Sequence, residues 1–145
     1  MIRAANESDF DRILDMAEMF WKETCYSEPS SRAATLPYIQ LSFNCGLLAV
    51  AEIAGEIKGF CAAICTPMMG SGVMIGTELA WWIDEDARGG RAGINLLKQM
   101  EVMAKESGVK YWNMIAMRSS MFDSVCGMYK KLGYTENELT FTKVL

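Results

Sequence analysis

A strand-like apolar run, a glycine-rich loop and an amphipathic helix follow one another over residues 73–108, and this order restricts the fold more than any other feature. Val73–Ile83 predicts a strand, Arg88–Gly93 the loop, and Ile94–Gly108 a helix that ends at its glycine. Glycines in a strand-to-helix loop let the backbone approach an anion, and the N–H groups of the first helical turn then point at it. The pattern predicts a phosphate-binding loop, with a purely structural turn as the alternative.

Two common nucleotide-binding motifs are absent from this loop. A dinucleotide fingerprint needs G-x-G-x-x-G after the first strand of a βαβ repeat, and a P-loop needs G-K-[ST]. The loop reads R-G-G-R-A-G and follows a strand that is not the first of the chain. Both motifs are therefore excluded here.

The elements around this segment predict an α/β (α+β) fold, with a mixed, mostly antiparallel sheet flanked by helices. Before residue 73 we expect a strand at Ile2–Ala5, a helix ending near Thr24, a helix at about 33–43, and a hairpin of strands Leu47–Ile53 and Ile57–Cys65. Asn6 and Ser8, each followed three residues later by an aspartate, are helix N-cap signals.

After residue 108 we expect a strand at Tyr111–Ala116 and then a helix that ends at Gly133. Ser120 with Asp123 resembles a capping box and predicts where that helix begins. Two last strands are predicted at 134–135 and 139–144. Because no linker, repeat or low-complexity segment interrupts the pattern, residues 1–145 are predicted to form a single domain.

Composition excludes several kinds of active site. The 145 residues include no histidine, so Ser-His triads, Cys-His dyads and His-zinc sites are excluded, and no metal is expected. Lys+Arg 14 against Asp+Glu 18 gives a net charge of -4, which argues against nucleic acid as a partner. The five cysteines contain no C-x-x-C pair, and no apolar stretch has membrane-spanning length. We expect a cytoplasmic protein with no membrane partner.

Two motifs resemble the GNAT superfamily of acetyl-CoA-dependent N-acetyltransferases. Ile83–Leu97 follows the layout of an apolar strand end, a short acidic turn, [RQ]-x-x-G-x-[GA] and an apolar helix. Met128–Tyr134 looks like the Y-x-K-L-G-[FY] end of the next helix in that family. Spacing and element order extend the resemblance over essentially the whole chain, so it implies a GNAT-like fold.

The resemblance implies acetyl-CoA as cosubstrate and transfer of acetyl to a primary amine by direct attack in a ternary complex. It places the coenzyme pyrophosphate on the loop and the start of the following helix. The backbone N–H near Trp82 is implied to meet the thioester carbonyl. The cofactor-binding residues implied in this way are Trp82, Ile83, Arg88, Gly89, Gly90, Arg91, Ala92, Gly93 and Ile94.

Two side chains match the catalytic groups of the family. Glu78 matches the carboxylate that acts as general base, often through water, and its alternative role is a charged strand-edge residue or a partner for an arginine. Tyr129 matches the tyrosine that protonates the coenzyme A thiolate, and its alternative role is a core aromatic residue. Cys126 leaves an acyl-cysteine route open, although no histidine is available to activate it.

Two positions depart from the family pattern. Arg91 stands where most members have the first loop glycine, and Phe122 stands seven residues before Tyr129, where many members have asparagine. These departures keep an alternative open, a catalytically silent GNAT-like module that binds acyl-CoA or a protein partner. A third reading, a nucleotide-binding module, requires that ATP or NAD bind more tightly than coenzyme A.

The acceptor is predicted to be a small or peptide-borne cationic amine. Glu23, Glu28 and the run Asp84–Asp86 lie in the expected walls of the site and can attract a protonated amine. Trp81 and Trp82 point to opposite faces of a regular strand, so one is expected in the core and the other beside the site. We expect a monomer or a homodimer.

Overall fold

The computed structural model describes all residues, Met1–Leu145. They form helices α1 (Phe10–Lys22), α2 (Arg32–Asn44), α3 (Ala92–Glu106) and α4 (Phe122–Lys131), and strands β1 (Ile2–Ala4), β2 (Leu48–Ile53), β3 (Glu56–Pro67), β4 (Met74–Ile83) and β5 (Tyr111–Asn113). Short 3-10 turns, Glu7–Asp9 and Glu85–Ala87, come before α1 and α3. The chain divides into two compact units, Met1–Ile115 and Ala116–Leu145. None of the four helices has both the length and the hydrophobicity needed to cross a membrane.

The strands of the first unit form one sheet in the order β1-β2-β3-β4-β5. Neighbours from β1 to β4 are antiparallel, and β5 runs parallel to β4. The β2–β3 hairpin turns at Ala54 and Gly55, whose φ angles are +52° and +82°. Two left-handed residues match the twist of the strands they join, as in the favoured two-residue hairpin turns. The predicted mixed, mostly antiparallel sheet is confirmed.

Helices cover both faces of this sheet, and strand β2 shows how the sequence supports two cores. Leu48 and Val50 pack with α1 and α2, whereas Ala49 and Ala51 pack with α3. Successive side chains of a strand point to opposite faces, so a strand buried on both sides is apolar without interruption. Each large apolar side chain buried in this way contributes about 1.5–3 kcal/mol.

Helix α1 begins at a closed set of hydrogen bonds. The Asn6 side chain accepts from the Ser8 N–H at 3.0 Å, and the Asp9 carboxylate accepts from the Asn6 N–H at 2.8 Å. Arg3 donates to both carboxylate oxygens of Asp9, at 2.7 and 3.0 Å. The predicted cap at Asn6 is confirmed, and it opens the 3-10 turn that leads into α1.

Helix α4 belongs to the second unit and corrects one expectation. Its N-cap residue is Met121, in a left-handed conformation with φ +48°, and no side chain caps the helix. The capping box predicted at Ser120 and Asp123 is therefore wrong, because the chain turns into the helix one residue later than the pattern requires. Gly133, with φ +92°, follows the helix end as predicted.

The strands predicted at 134–135 and 139–144 are also wrong, since residues 134–145 form neither helix nor strand. A strand needs a neighbour to satisfy its backbone N–H and C=O groups, and the second unit contains no other strand. The apolar side chains that produced the pattern lie in solvent, with Phe141 87% exposed. The strand predicted at 111–116 is shortened to β5.

Candidate active site

Strands β4 and β5 part from one another in the middle of β4. They pair only where Ile75–Thr77 lies beside Tyr111–Asn113, and β4 continues to Ile83 with no strand on that side. The pairing of β4 with β3 is irregular at the same place. Ala62 lies opposite Ala80, and Ala63 lies opposite Glu78, so Leu79 has no partner on β3 and forms a bulge. Bulges often lie next to active sites, where they redirect a side chain.

The bulge reverses which face of the sheet the β4 side chains reach. After the bulge, Trp82 packs in the apolar core between the sheet and helices α1 and α2, and Trp81 packs in the core between the sheet and α3. Before it, Glu78 lies opposite Ala63, which belongs to the α3 cluster. Uninterrupted alternation would place Glu78 on the face of Trp82, four residues later. The bulge places it instead on the α3 face, the face of Trp81.

Glu78 is a buried carboxylate with no cation beside it. Its side chain is 4% exposed, and its Oε2 accepts a hydrogen bond of 2.9 Å from the N–H of Ile115, two residues past the end of β5. Burial raises the pKa of Glu78 from 4.5 to about 7, against the opposing effect of the Ile115 hydrogen bond. A carboxylate with this pKa changes charge near neutral pH, as a general base must.

The two tryptophans after the bulge are both parts of the packing, on opposite faces as predicted. Trp82 is buried against α1 and α2, and its Nε1 donates to Asp84 Oδ1 at 3.0 Å. Trp81 lies against α3, where a Cβ on Gly93 would come 3.2 Å from its ring. Trp82 is the core residue of the pair, whereas Trp81 is half-buried near the start of α3, so a place for it beside the acceptor or pantetheine site stays a prediction.

The loop between β4 and α3 leads into the backbone N–H donors of the first helical turn. Gly89 has φ +84°, a conformation that L side chains rarely adopt, and a Cβ on Gly90 would meet nothing closer than 4.0 Å. No side chain caps α3, whose N-cap residue is Arg91. The amides of Ala92–Ile94 open the helix and have no acceptor within it. With the positive end of the helix dipole, they form a donor set that fits a pyrophosphate.

Arg88 and the acidic residues of the expected walls take part in ion pairs. The Arg88 Nη2 donates to Glu23 Oε1 at 3.2 Å, Arg12 pairs with Asp84, and the Lys58 Nζ lies 2.9 Å from Asp86 Oδ2. Three of the acidic side chains predicted to steer a cationic substrate are thus neutralised locally. Glu28 and Glu85 form no ion pair.

Tyr129 lies in α4, in the second unit. Its side chain is buried, and its ring centroid is 5.4 Å from that of Tyr134 in a tilted arrangement. Cys126 is half-buried one turn earlier, and all five cysteines are free thiols. No group of three histidine, cysteine, aspartate or glutamate side chains is arranged to hold a metal ion.

The family model described as the acetyltransferase (GNAT) family matches residues 13–134. The chain belongs to the GNAT family. No curated protein matches it. The fold is shared with a transcriptional regulator from Bacillus halodurans C-125 (22% identity, TM-score 0.77, 100% and 99% of the two chains covered). It is shared also with a ribosomal-protein-alanine N-acetyltransferase from Brucella melitensis biovar Abortus 2308 (13%, 0.77, 100% and 99%). A predicted acetyltransferase with acetyl-CoA from Clostridium acetobutylicum is a further neighbour (16%, 0.76, 99% and 95%).

Membership of the GNAT family supports acetyl transfer as the class of activity, with acetyl-CoA as the cosubstrate. The fold likeness covers essentially the whole chain and agrees with the predicted mixed sheet flanked by helices, which has five strands in the structure. Ile115 and Arg12 shape the site and carry no signal in the sequence, and the sequence predicts Glu23 as an acidic wall residue but not as the partner of Arg88. Each acts on a group at least 37 positions away, so only the folded chain identifies it.

Proposed function

We propose that this protein transfers acetyl from acetyl-CoA to a primary amine by direct attack in a ternary complex. The observation that carries the proposal is the Glu78 carboxylate, buried without a cation where β4 and β5 part. Its hydrogen bond to Ile115 fixes its position, and its pKa of about 7 gives it both protonation states near neutral pH. We propose further that residues 1–145 act as one GNAT-like domain.

We propose that the start of α3 holds the coenzyme pyrophosphate. The uncapped amides of Ala92–Ile94 and the side-chain-free Gly89 and Gly90 support this, because they leave room for phosphate oxygens beside backbone donors. The acetyl-CoA named for the Clostridium acetobutylicum neighbour supports the same ligand. The exposed Arg91 side chain can add a charged hydrogen bond. The backbone at Trp82 and Ile83 would border the thioester.

Acetyl-CoA supplies an activated acetyl thioester, and the residues of this chain move the protons. The amine nitrogen bonds to the carbonyl carbon, and the carbon–sulfur bond breaks. The Glu78 carboxylate takes the proton that the amine loses, directly or through water. The hydroxyl of Tyr129 gives a proton to the departing thiolate and is later reprotonated from solvent. Direct transfer is preferred over an acyl-cysteine route because the chain contains no histidine to activate Cys126.

We propose a small or peptide-borne cationic amine as the acceptor. Amines arrive mostly protonated at neutral pH, so a base with a pKa near 7 is matched to their activation. The ion pairs of Glu23, Asp84 and Asp86 leave a weaker negative field than the sequence predicts, so steering by charge is expected to be modest. The free thiols fit a reducing cytoplasm, and a monomer or homodimer is expected.

The proposal is tested with acetyl-CoA and a panel of amines, by following release of the coenzyme A thiol and by calorimetric binding of acetyl-CoA. Gly90→Val tests the phosphate site, because its Cβ meets open space in the protein and the fold should survive. We expect acetyl-CoA affinity to fall at least tenfold with an unchanged melting temperature. Gly93→Val is unsuitable, since its Cβ would press on Trp81.

The result separates the open alternatives. Acetyl-CoA binding without turnover of any amine supports the silent acyl-CoA-binding module, and tighter binding of ATP or NAD supports a nucleotide-binding module.

Tyr129→Phe keeps the ring and removes the hydroxyl, and we expect it to lower kcat about 100-fold with little change in acetyl-CoA affinity. Cys126→Ala is expected to be nearly neutral, and an acetyl adduct on Cys126 that is chased by amine would contradict direct transfer.

A further inference from the structure

Arg88 lies in the phosphate loop, but its side chain is directed into the protein. The Nε donates to the Ile83 carbonyl at 2.9 Å, and Nη2 donates to Glu23 Oε1 at 3.2 Å. The guanidinium lies 4.5 Å above the centre of the Trp82 ring. A planar guanidinium held by two directed hydrogen bonds and a stacked indole has one preferred position.

Asp84, at the other end of the turn that contains Arg88, is held by a residue of helix α1. Asp84 accepts from Trp82 Nε1 at 3.0 Å and pairs with Arg12, which also donates to the Ile57 carbonyl at 3.1 Å. Arg12 lies in α1, and Glu23 is the C-cap residue of the same helix. The separation of eleven residues between these positions corresponds to just over three helical turns, at about 3.6 residues per turn, so both contacts lie on one side of α1. The turn 84–88 is therefore fixed to this helix at its first and last residues.

We propose that Arg88 is a positioning residue, which with Glu23 holds the loop so that the amides at the start of α3 meet the pyrophosphate. The inference rests on the proposed function, because it assigns the coenzyme to that loop. It differs from the hypothesis that the Arg88 guanidinium binds a phosphate directly. Under this inference Glu23 supports coenzyme binding, although its carboxylate has the same sign of charge as the phosphates.

Electrostatics and positioning predict opposite signs for Glu23. Coenzyme A carries several negative charges, so removing a nearby carboxylate should strengthen its binding if charge alone matters. If Glu23 positions the loop through Arg88, the same removal should weaken binding. Glu18 provides a matched control, since it is a partly exposed glutamate of the same helix whose ion pair, with Lys22, does not involve the loop.

The experiment measures the dissociation constant of acetyl-CoA by calorimetry for the parent, Glu23→Gln, Arg88→Gln, Arg88→Lys, the double variant Glu23→Gln/Arg88→Gln, and Glu18→Gln. We expect Glu23→Gln and Arg88→Gln each to weaken binding about five- to tenfold, and the double variant to be no weaker than Arg88→Gln. Arg88→Lys should resemble Arg88→Gln, because lysine cannot reproduce the fork and the stacking. Glu18→Gln should bind like the parent or slightly more tightly.

Salt dependence gives a second readout. If Arg88 only positions the loop, Arg88→Gln leaves the salt dependence of affinity unchanged, whereas loss of a direct phosphate contact reduces it. Parent-like or tighter binding by Glu23→Gln, or rescue by Arg88→Lys, would overturn the inference while acetyl-CoA binding by the parent upholds the proposed function. If the parent does not bind acetyl-CoA, both fail.

Discussion

Asp9 and Glu78 are both nearly inaccessible carboxylates, 5% and 4% exposed, yet their surroundings differ in every respect that matters for charge. Asp9 receives two hydrogen bonds from Arg3 and one from the Asn6 N–H. Glu78 receives one from Ile115 and faces no cation. The Arg3 hydrogen bonds hold the pKa of Asp9 below its usual value, whereas burial raises that of Glu78 to about 7.

The difference separates a structural carboxylate from a reactive one. A buried anion with a cation and a backbone donor is stabilised in its charged form and holds two segments together. A buried anion without a cation is destabilised in its charged form, so it takes up a proton readily. The fold tolerates that cost at Glu78, and such a cost is typical of functional sites.

The largest expected effect comes from removing the reactive carboxylate. Glu78→Gln keeps the shape and an acceptor for the Ile115 N–H but cannot take a proton. We expect kcat/KM to fall by about 10²–10⁴-fold, the range of a lost general base. Asp9→Asn, assayed well below its melting temperature, should leave kcat/KM within about twofold. Equal losses in the two variants would contradict the division of roles.

The pH dependence of the parent is the next largest effect. We divide kcat/KM by the fraction of the amine that is unprotonated. We expect this corrected kcat/KM to increase about tenfold for each unit that the pH rises towards 7 and to stay constant above 7, because only ionised Glu78 acts as base. Glu78→Gln should lack this limb. A parent profile that is flat between pH 5 and 8 would remove Glu78 from the mechanism.

Removing the structural carboxylate should reduce stability. Asp9→Ala removes the partner of Arg3 and the acceptor for the Asn6 N–H, so we expect a loss of about 2–4 kcal/mol in denaturant unfolding at pH 7. In the parent, this contribution is fully present above the ordinary pKa of 3.8 and is lost as pH falls through the lower folded value. Asp11→Asn, an exposed control on α1, should change stability by less than about 0.5 kcal/mol.

The smallest expected effect is a gain in stability. Glu78 has a higher pKa when folded, so the folded protein holds more protons between pH 4.5 and 7 and its stability falls as pH rises through that window. Glu78→Gln escapes this penalty and should be more stable than the parent by about 1–3 kcal/mol at pH 8. At pH 4.5 the advantage should vanish. A variant that is less stable than the parent at pH 8 would show that the ionised carboxylate is structural.

Local signals predicted most of the first unit. The cap at Asn6, the hairpin turn at Ala54–Gly55 and the end of α3 near Gly108 are each encoded within a few residues, because capping and turn conformations depend on adjacent side chains. The same reasoning failed at the strand predicted for 139–144. Its alternation is real, but a strand depends on a neighbouring strand that alternation does not specify.

By itself, the sequence determined the family, the order of elements in the first unit and the glycine-rich loop before α3, since these follow from periodicity, turn chemistry and motif spacing. Only the tertiary structure decided where Glu78 points, because a bulge at Leu79 reverses the faces of β4. It alone joined Glu78 to Ile115 and Arg88 to Glu23, across 37 and 65 positions. Such contacts are set by strand register and helix placement, which depend on the packing of the whole unit.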